Sequence, residues 1–76
     1  MKTYFKSTVG NLYLMIDDEQ LKVAVTYSDD VVKGLDIMKT SISYNRYLTE
    51  STDTSKWISS NETDFNNIIS EVNSGY

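Results

Sequence analysis

The chain contains neither cysteine nor histidine among its 76 residues. Without cysteine it forms no disulfide and no thiolate metal site. Without histidine it lacks the usual general base and the commonest metal ligand. Small secreted domains usually depend on disulfides or metals for stability. We therefore expect a protein that works inside a cell or within a larger assembly, with no cofactor and no metal.

Long apolar runs are also missing. No stretch reaches the roughly 20 apolar residues that cross a membrane, so no membrane partner is expected. The opening MKTYFKSTVGN has no apolar core of signal-peptide length, which predicts that the chain is not secreted by a signal peptide. The formal net charge of −4 argues against a protein that binds the phosphate backbone of nucleic acids. Direct binding of nucleic acid is therefore not expected.

The remaining composition is that of an ordinary globular protein. Hydrophobic residues make up 39% of the chain and charged residues 24%, which does not favour disorder. The length predicts a single domain over residues 1–76. A chain of this size buries only about 60% of the surface that its unfolded form exposes, so a thin margin of stability is expected.

Residues 3–27 carry the alternating pattern of β-strands. Gly10 and Asn11 supply a turn after the first strand, at residues 3–7. The polar residues 17–20 suit a hairpin loop between the next two strands. Alternation of this kind predicts an antiparallel sheet with one covered face. The apolar side holds Leu12, Leu14, Ile16, Leu21, Val23, Val25 and Tyr27, whereas Tyr13 and Met15 lie on the other side.

The middle of the chain has two interpretations. Val31, Val32 and Leu35 fit a helical stripe that continues to Met38. Gly34 within that stripe costs about 1 kcal/mol relative to alanine, and the same residues alternate as a strand. We favour a turn at 28–31 and a strand near 33–41, with a helix as the alternative. Residues 43–55 have few apolar anchors and predict a loop with one short helical turn around 44–48.

A helix is predicted over residues 61–73. Its single apolar stripe is spaced i, i+3, i+4 and i+7, and Ser59, Ser60 and Asn61 are competent N-caps. Ser59 with Glu62 would form a capping box, Gly75 is a natural stop, and Trp57 and Ile58 would form a short edge strand. A helix with so narrow an apolar stripe must pack on a sheet to be stable. The stripe consists of Phe65, Ile68, Ile69 and Val72.

The expected fold is therefore α+β. It is a small antiparallel β-meander of three to five strands, with one C-terminal helix packed on one face to cover the apolar side of the strands.

The sequence contains only weak candidates for a catalytic site. The acidic clusters at 17–19 and 29–30 lack EF-hand spacing and are interpreted as solvated turns. No S-x-x-K element and no glycine-rich phosphate loop occur in the sequence. We expect a protein that is not an enzyme and has no catalytic residues.

Tyrosine is the more informative residue, with six in the chain. Tyr13 is expected on the sheet face opposite the core, and Tyr44, Arg46 and Tyr47 form a group among serine and asparagine. Tyrosine and arginine are frequent in binding hot spots. These four residues are the candidate partner-binding residues. The alternative is that the tyrosines only half-cover the sheet of a small protein.

Two segments of the chain resemble small proteins encoded by phages and mobile elements of gut bacteria. Those proteins have an aromatic opening strand, a strand meander and a closing tryptophan turn before an amphipathic helix. The matching residues are Tyr4, Phe5, Trp57, Glu62, Asp64 and Phe65.

This resemblance implies two functions. The first is a non-catalytic structural protein of a phage virion, such as a capsid decoration protein, with a capsid or other virion protein as partner. The second is a small acidic inhibitor of a host defence enzyme, an anti-CRISPR-like mimic of nucleic acid. The implied location is the virion or the host cytoplasm. A regulatory or purely cytoplasmic binding module stays open as a third function, and the chain could form a homo-oligomer.

Overall fold

The computed structural model describes residues 1–28 and 33–74. Within them the strands form one antiparallel sheet in the order β4-β3-β2-β1-β5. This confirms an α+β fold with an antiparallel meander and a C-terminal helix. The elements are β1 (Lys2–Ser7), β2 (Leu12–Asp17), β3 (Lys22–Ser28), β4 (Lys33–Met38), α1 (Ser41–Glu50), β5 (Trp57–Ser59) and α2 (Glu62–Ser74).

Both faces of the sheet are covered, each by one helix. On the first, the α1 face, Tyr44 and Tyr47 of α1 pack against a buried cluster of the sheet. On the second, the α2 face, Phe65 of α2 is buried with strand residues. The α1 face holds Leu14, Ile16, Val23, Val25 and Trp57, and the α2 face holds Tyr13, Met15 and Ala24.

Helix α1 is longer than expected from the sequence. The predicted helical turn at 44–48 is confirmed, but the loop predicted around it is wrong up to residue 50, because residues 41–50 form a helix of ten residues. Thr40 caps it, since its Oγ1 accepts a hydrogen bond from the N–H of Ser43 at 3.2 Å. None of the residues of α1 is buried. The apolar stripe from which such a helix would be predicted is correspondingly weak.

The two helices divide the faces differently from the expectation. The larger apolar side of β2 and β3 is covered by α1, and α2 covers the side that carries Tyr13 and Met15. Tyr13 is therefore buried, at 8% exposure, and its expected position on an uncovered face is wrong. Phe65 is buried as predicted.

The start of α2 confirms one of the three suggested caps. The Oδ1 of Asn61 accepts from the N–H of Asp64 at 2.8 Å, and its Nδ2 donates to Asp64 Oδ2 at 3.2 Å. Asn61 is therefore the N-cap. The capping box of Ser59 and Glu62 is wrong, because Ser59 belongs to β5 and pairs with Phe5.

Two turns connect the first three strands. Gly10 has φ +69°, which fits its predicted role in the β1–β2 turn. In the β2–β3 turn Leu21 has φ 51° and is exposed. Its expected inward position is wrong, because the left-handed conformation places it in the turn and not in β3.

β4 confirms a strand in the middle of the chain and excludes a helix over 33–38. Gly34 lies against the ring of Tyr27 on β3, so that a Cβ at position 34 would stand 2.6 Å from Tyr27 Cζ. The absence of a side chain therefore suits this position. Most of the predicted turn at 28–31, the acidic pair at 29–30 and the stop at Gly75 lie outside the described residues.

Candidate functional site

The structure brings three of the four candidate residues together and separates the fourth. Tyr44, Arg46 and Tyr47 lie on α1, over the α1 face. Tyr13 lies on the opposite face, beneath α2. Tyr13 therefore contributes to packing, and so do Tyr44 and Tyr47, whereas Arg46 is exposed.

Tyr47 and Arg46 form a connected group on that surface. Tyr47 is half-buried against the sheet cluster, and the guanidinium of Arg46 lies 5.7 Å from the centre of its ring. Arg46 Nε also lies 3.8 Å from Oε2 of Glu50, one helical turn on. This pairing directs the exposed Arg46 toward the C-terminal end of α1.

A groove of about 340 Å³ opens at that end of α1. It lies where the last turn of α1 meets the end of β1, the following turn and the residues that lead into β5. Trp57 contributes a buried indole, and Val9 an apolar side chain that is 76% exposed. The lining residues are Ser7, Thr8, Val9, Glu50, Ser55, Lys56 and Trp57.

The wall of the groove at residues 53–57 is held by local hydrogen bonds. Oδ1 of Asp53 accepts from the N–H of Ser55 at 3.0 Å and from its Oγ at 2.6 Å. The carbonyl of Asp53 accepts from the N–H groups of Lys56 and Trp57, both at 3.0 Å. The hydrogen bonds from Ser55 hold the pKa of the Asp53 carboxyl below its usual value. The ionised carboxylate of Asp53 therefore serves as a hydrogen-bond acceptor that holds this wall.

Two hydrogen bonds from Thr8 connect this wall to the other side of the groove. Its Oγ1 donates to the carbonyl of Ser55 at 2.8 Å, and its N–H donates to the carbonyl of Lys56 at 3.0 Å. These hydrogen bonds therefore fix the backbone around the groove in the chain by itself. A preformed site loses less conformational entropy on binding.

The groove combines apolar, charged and hydroxyl groups. Its lining includes the side chains of Val9 and Trp57, the carboxylate of Glu50, the ammonium of Lys56 and the hydroxyls of Ser7 and Ser55. In the described ranges, 1–28 and 33–74, no group of three or more acidic, cysteine or histidine residues is placed to hold a metal ion. No helix among these residues is long and apolar enough to cross a membrane.

The acidic cluster at 17–19 is not one continuous patch. Asp17 is buried and accepts backbone hydrogen bonds within its own turn. Asp18 and Glu19 are exposed and accept hydrogen bonds from the amine of Met1. The predicted solvated turn therefore applies to two of the three carboxylates.

Sequence reasoning did not identify the groove. Val9 is far in sequence from Glu50 and Lys56, and none of the three belongs to a recognisable motif. Only Trp57 was singled out, as part of an edge strand. No family model matches the chain, and neither a curated protein nor a solved structure matches it.

Proposed function

We propose that this protein is a non-catalytic protein-binding component. Its contact surface is the groove together with Arg46 and Tyr47, here called the groove surface. The observation that carries the proposal is the preformed groove itself, in which the exposed Val9 and the buried Trp57 are framed by Glu50 and Lys56.

A segment of another protein is the ligand that this chemistry fits. An apolar side chain that covers Val9 and the accessible edge of Trp57 would remove apolar surface from water, at about 25 cal/mol per Å². Charges of both signs and the hydroxyls around the floor match the backbone and polar side chains of a peptide segment. Arg46, whose guanidinium lies near the Tyr47 ring, and Tyr47 itself add two residue types that are frequent at the centres of interfaces.

The partner we propose is a capsid or other virion protein, so that the chain acts as a capsid decoration-type accessory. The resemblance of its opening strand and closing unit to phage proteins supports this. The alternative is an anti-CRISPR-like inhibitor of a host defence enzyme, which would need a concentrated acidic field. The inward position of Asp17 weakens such a field, so the virion protein is preferred.

The test is a titration of the major capsid protein of the encoding phage with the chain. Val9→Asp should weaken binding by about ten-fold or more, equivalent to about 1.4 kcal/mol, because it places a charge on the apolar contact. Leu21→Asp is the matched control, since Leu21 is also an exposed apolar turn residue but lies in the other hairpin turn. It should bind like the wild type.

A second pair of measurements separates the two functions. Replacing Asp18 and Glu19 by Asn and Gln should change the affinity less than about three-fold, because exposed charges contribute little. Raising the salt from about 0.05 M to about 0.5 M should likewise have a small effect. A steep salt dependence, with loss of binding in the acidic variant and none in Val9→Asp, would refute the proposal and favour the inhibitor.

A further inference from the structure

Asp53 is hydrogen-bonded to four of the residues that line the groove, although it does not line the groove itself. Its N–H donates to the carbonyl of Glu50 at 2.9 Å, at the end of α1. Its Oδ1 accepts from the N–H and the Oγ of Ser55, and its carbonyl accepts from the N–H groups of Lys56 and Trp57. The three polar groups of this one residue therefore hold the α1 side and the β5 side of the groove together.

The other lining residues are joined to the same network through Thr8. The Oγ1 of Thr8 donates to the carbonyl of Ser55 at 2.8 Å, and its N–H donates to the carbonyl of Lys56 at 3.0 Å. In the adjoining turn the N–H of Val9 donates to the Oγ of Ser7 at 3.2 Å. The turn after β1 is therefore held by the same hydrogen-bonded segment.

Hydrogen bonds, and not burial, set the conformation of the segment that carries Asp53. Residues 52–56 are all exposed, so apolar packing does not fix them. The hydroxyls of Ser51 and Thr52 bond back to carbonyls of α1 and do not reach the groove. The carboxylate of Asp53 takes up both donors of Ser55 and closes an Asx-turn. The position of Ser55 therefore depends on this carboxylate.

We propose that Asp53 is the positioning residue of the groove surface, and that its carboxylate holds the groove in the conformation that binds a partner without contacting the partner. This inference rests on the proposed function of the groove. A wall that is ordered before binding loses less conformational entropy when the partner binds. Loss of the carboxylate should therefore weaken binding even though every lining residue is still present.

The acceptor oxygen of Asp53 is what this role requires, and the charge is not. An asparagine at this position keeps an oxygen that can accept both hydrogen bonds from Ser55, whereas an alanine has none. Asp53→Asn should therefore preserve the groove, and Asp53→Ala should loosen it. If Asp53 acted only through its charge, the two variants would behave alike, because both substitutions remove the charge.

Trp57 reports the state of the groove when no partner is present. It is the single tryptophan of the chain and is 7% exposed, so acrylamide should quench its fluorescence weakly in the wild type. In Asp53→Ala the quenching constant should rise about two-fold, because the wall beside the indole opens more often. Asp53→Asn should be quenched like the wild type.

Asp18→Ala is the matched control. Asp18 is also an exposed turn aspartate that accepts a hydrogen bond, but it lies in the other hairpin turn. The same substitution there should leave the quenching of Trp57 unchanged. All three variants should melt within about 4 °C of the wild type, since exposed hydrogen bonds contribute little to global stability. A change in quenching then reports the groove and not unfolding.

The effect on binding is measured by titration with the major capsid protein of the encoding phage. Asp53→Ala should weaken binding about five-fold, whereas Asp53→Asn and Asp18→Ala should bind like the wild type. An unchanged quenching constant or an unchanged affinity in Asp53→Ala would overturn the inference. An Asp53→Asn variant that is as impaired as Asp53→Ala would overturn it too.

Val9→Asp separates this inference from the proposed function on which it rests. Weak binding of Val9→Asp together with normal binding of Asp53→Ala would leave the groove as the contact surface and reject Asp53 as its positioning residue. Normal binding of Val9→Asp would reject the groove as the contact surface, and with it a role of Asp53 in binding.

Discussion

Asp17 is the residue whose role changes most between sequence and structure. It ends β2, and its side chain is 3% exposed. Oδ1 accepts from the N–H of Glu19 at 3.0 Å and from that of Gln20 at 3.2 Å. Burial by itself would raise the pKa of Asp17, but these hydrogen bonds and the charges of Lys2 and Lys22 outweigh it, and the pKa is lowered.

A lowered folded-state pKa makes the stability depend on pH. The ionised carboxylate stabilises the fold above the unfolded-state pKa of about 3.9, and this contribution is lost as the pH falls through the folded-state pKa. Asp17→Asn keeps an acceptor but removes the charge, so its melting temperature should be below that of the wild type at pH 7. The difference should shrink as the pH approaches about 2.

Thermal unfolding followed by circular dichroism between about pH 2 and pH 7 measures this effect. Asp17→Ala, which removes the acceptor as well, should be less stable than Asp17→Asn and should keep a deficit even at the lowest pH. A deficit of Asp17→Asn that stays constant across this range would show that the charge does not contribute.

At the scale of elements, the two helices differ in how they are held. α2 places Phe65 and Val72 in the interior, and the Phe65 ring lies 5.5 Å from that of Tyr4, tilted by 55°. α1 buries none of its residues and contacts the sheet through the half-buried Tyr44 and Tyr47. The stability of the fold therefore depends more on α2 than on α1.

Phe65→Ala tests the contribution of α2. Truncation of a buried phenylalanine costs about 3–5 kcal/mol, which is comparable with the entire stability of a small domain. We expect the variant to be largely unfolded at 37 °C. Urea unfolding provides the free energy, and Asn66→Ala, at an exposed position of the same helix, should stay within about 0.5 kcal/mol of the wild type. Equal stability of both variants would contradict the packing of α2 on the sheet.

At the scale of the whole molecule, the sheet has an apolar cluster on each side. The two clusters share the central strands β2 and β3, which alternate between the α1 face and the α2 face. A chain of 76 residues can thus bury both sides of its sheet with two short helices. The fold is expected to unfold in one cooperative step, since each cluster needs the same strands.

A whole-molecule prediction concerns metals. The stability should not depend on a bound ion, so a chelator should leave the melting temperature unchanged in differential scanning fluorimetry. Addition of Ca²⁺ should also leave it unchanged, because Asp18 and Glu19 are exposed and Asp17 is engaged by the backbone. A rise with Ca²⁺ that disappears in Asp18→Asn with Glu19→Gln would contradict this.

Elements with a strong periodic pattern could be predicted from the amino-acid sequence. Alternation in β2 and β3 and the stripe of Phe65, Ile68 and Val72 identify strands and a helix, because such patterns reflect neighbours within one element. Trp57 and Ile58 were likewise recognisable as a short strand. These features depend on residues that are close in sequence.

Three features depend on the folded chain and could not be predicted: which helix covers which face, the full length of α1, and the position of the groove. Alternation in β2 and β3 predicted one covered face, and the burial of Tyr13, Met15 and Ala24 on the other face depends on the position of α2 in the folded chain. The weak stripe of α1 becomes helical through contacts with strands far away in sequence. The groove joins residues 7–9, 50 and 55–57, and no local pattern can record contacts between segments that meet only when the chain folds.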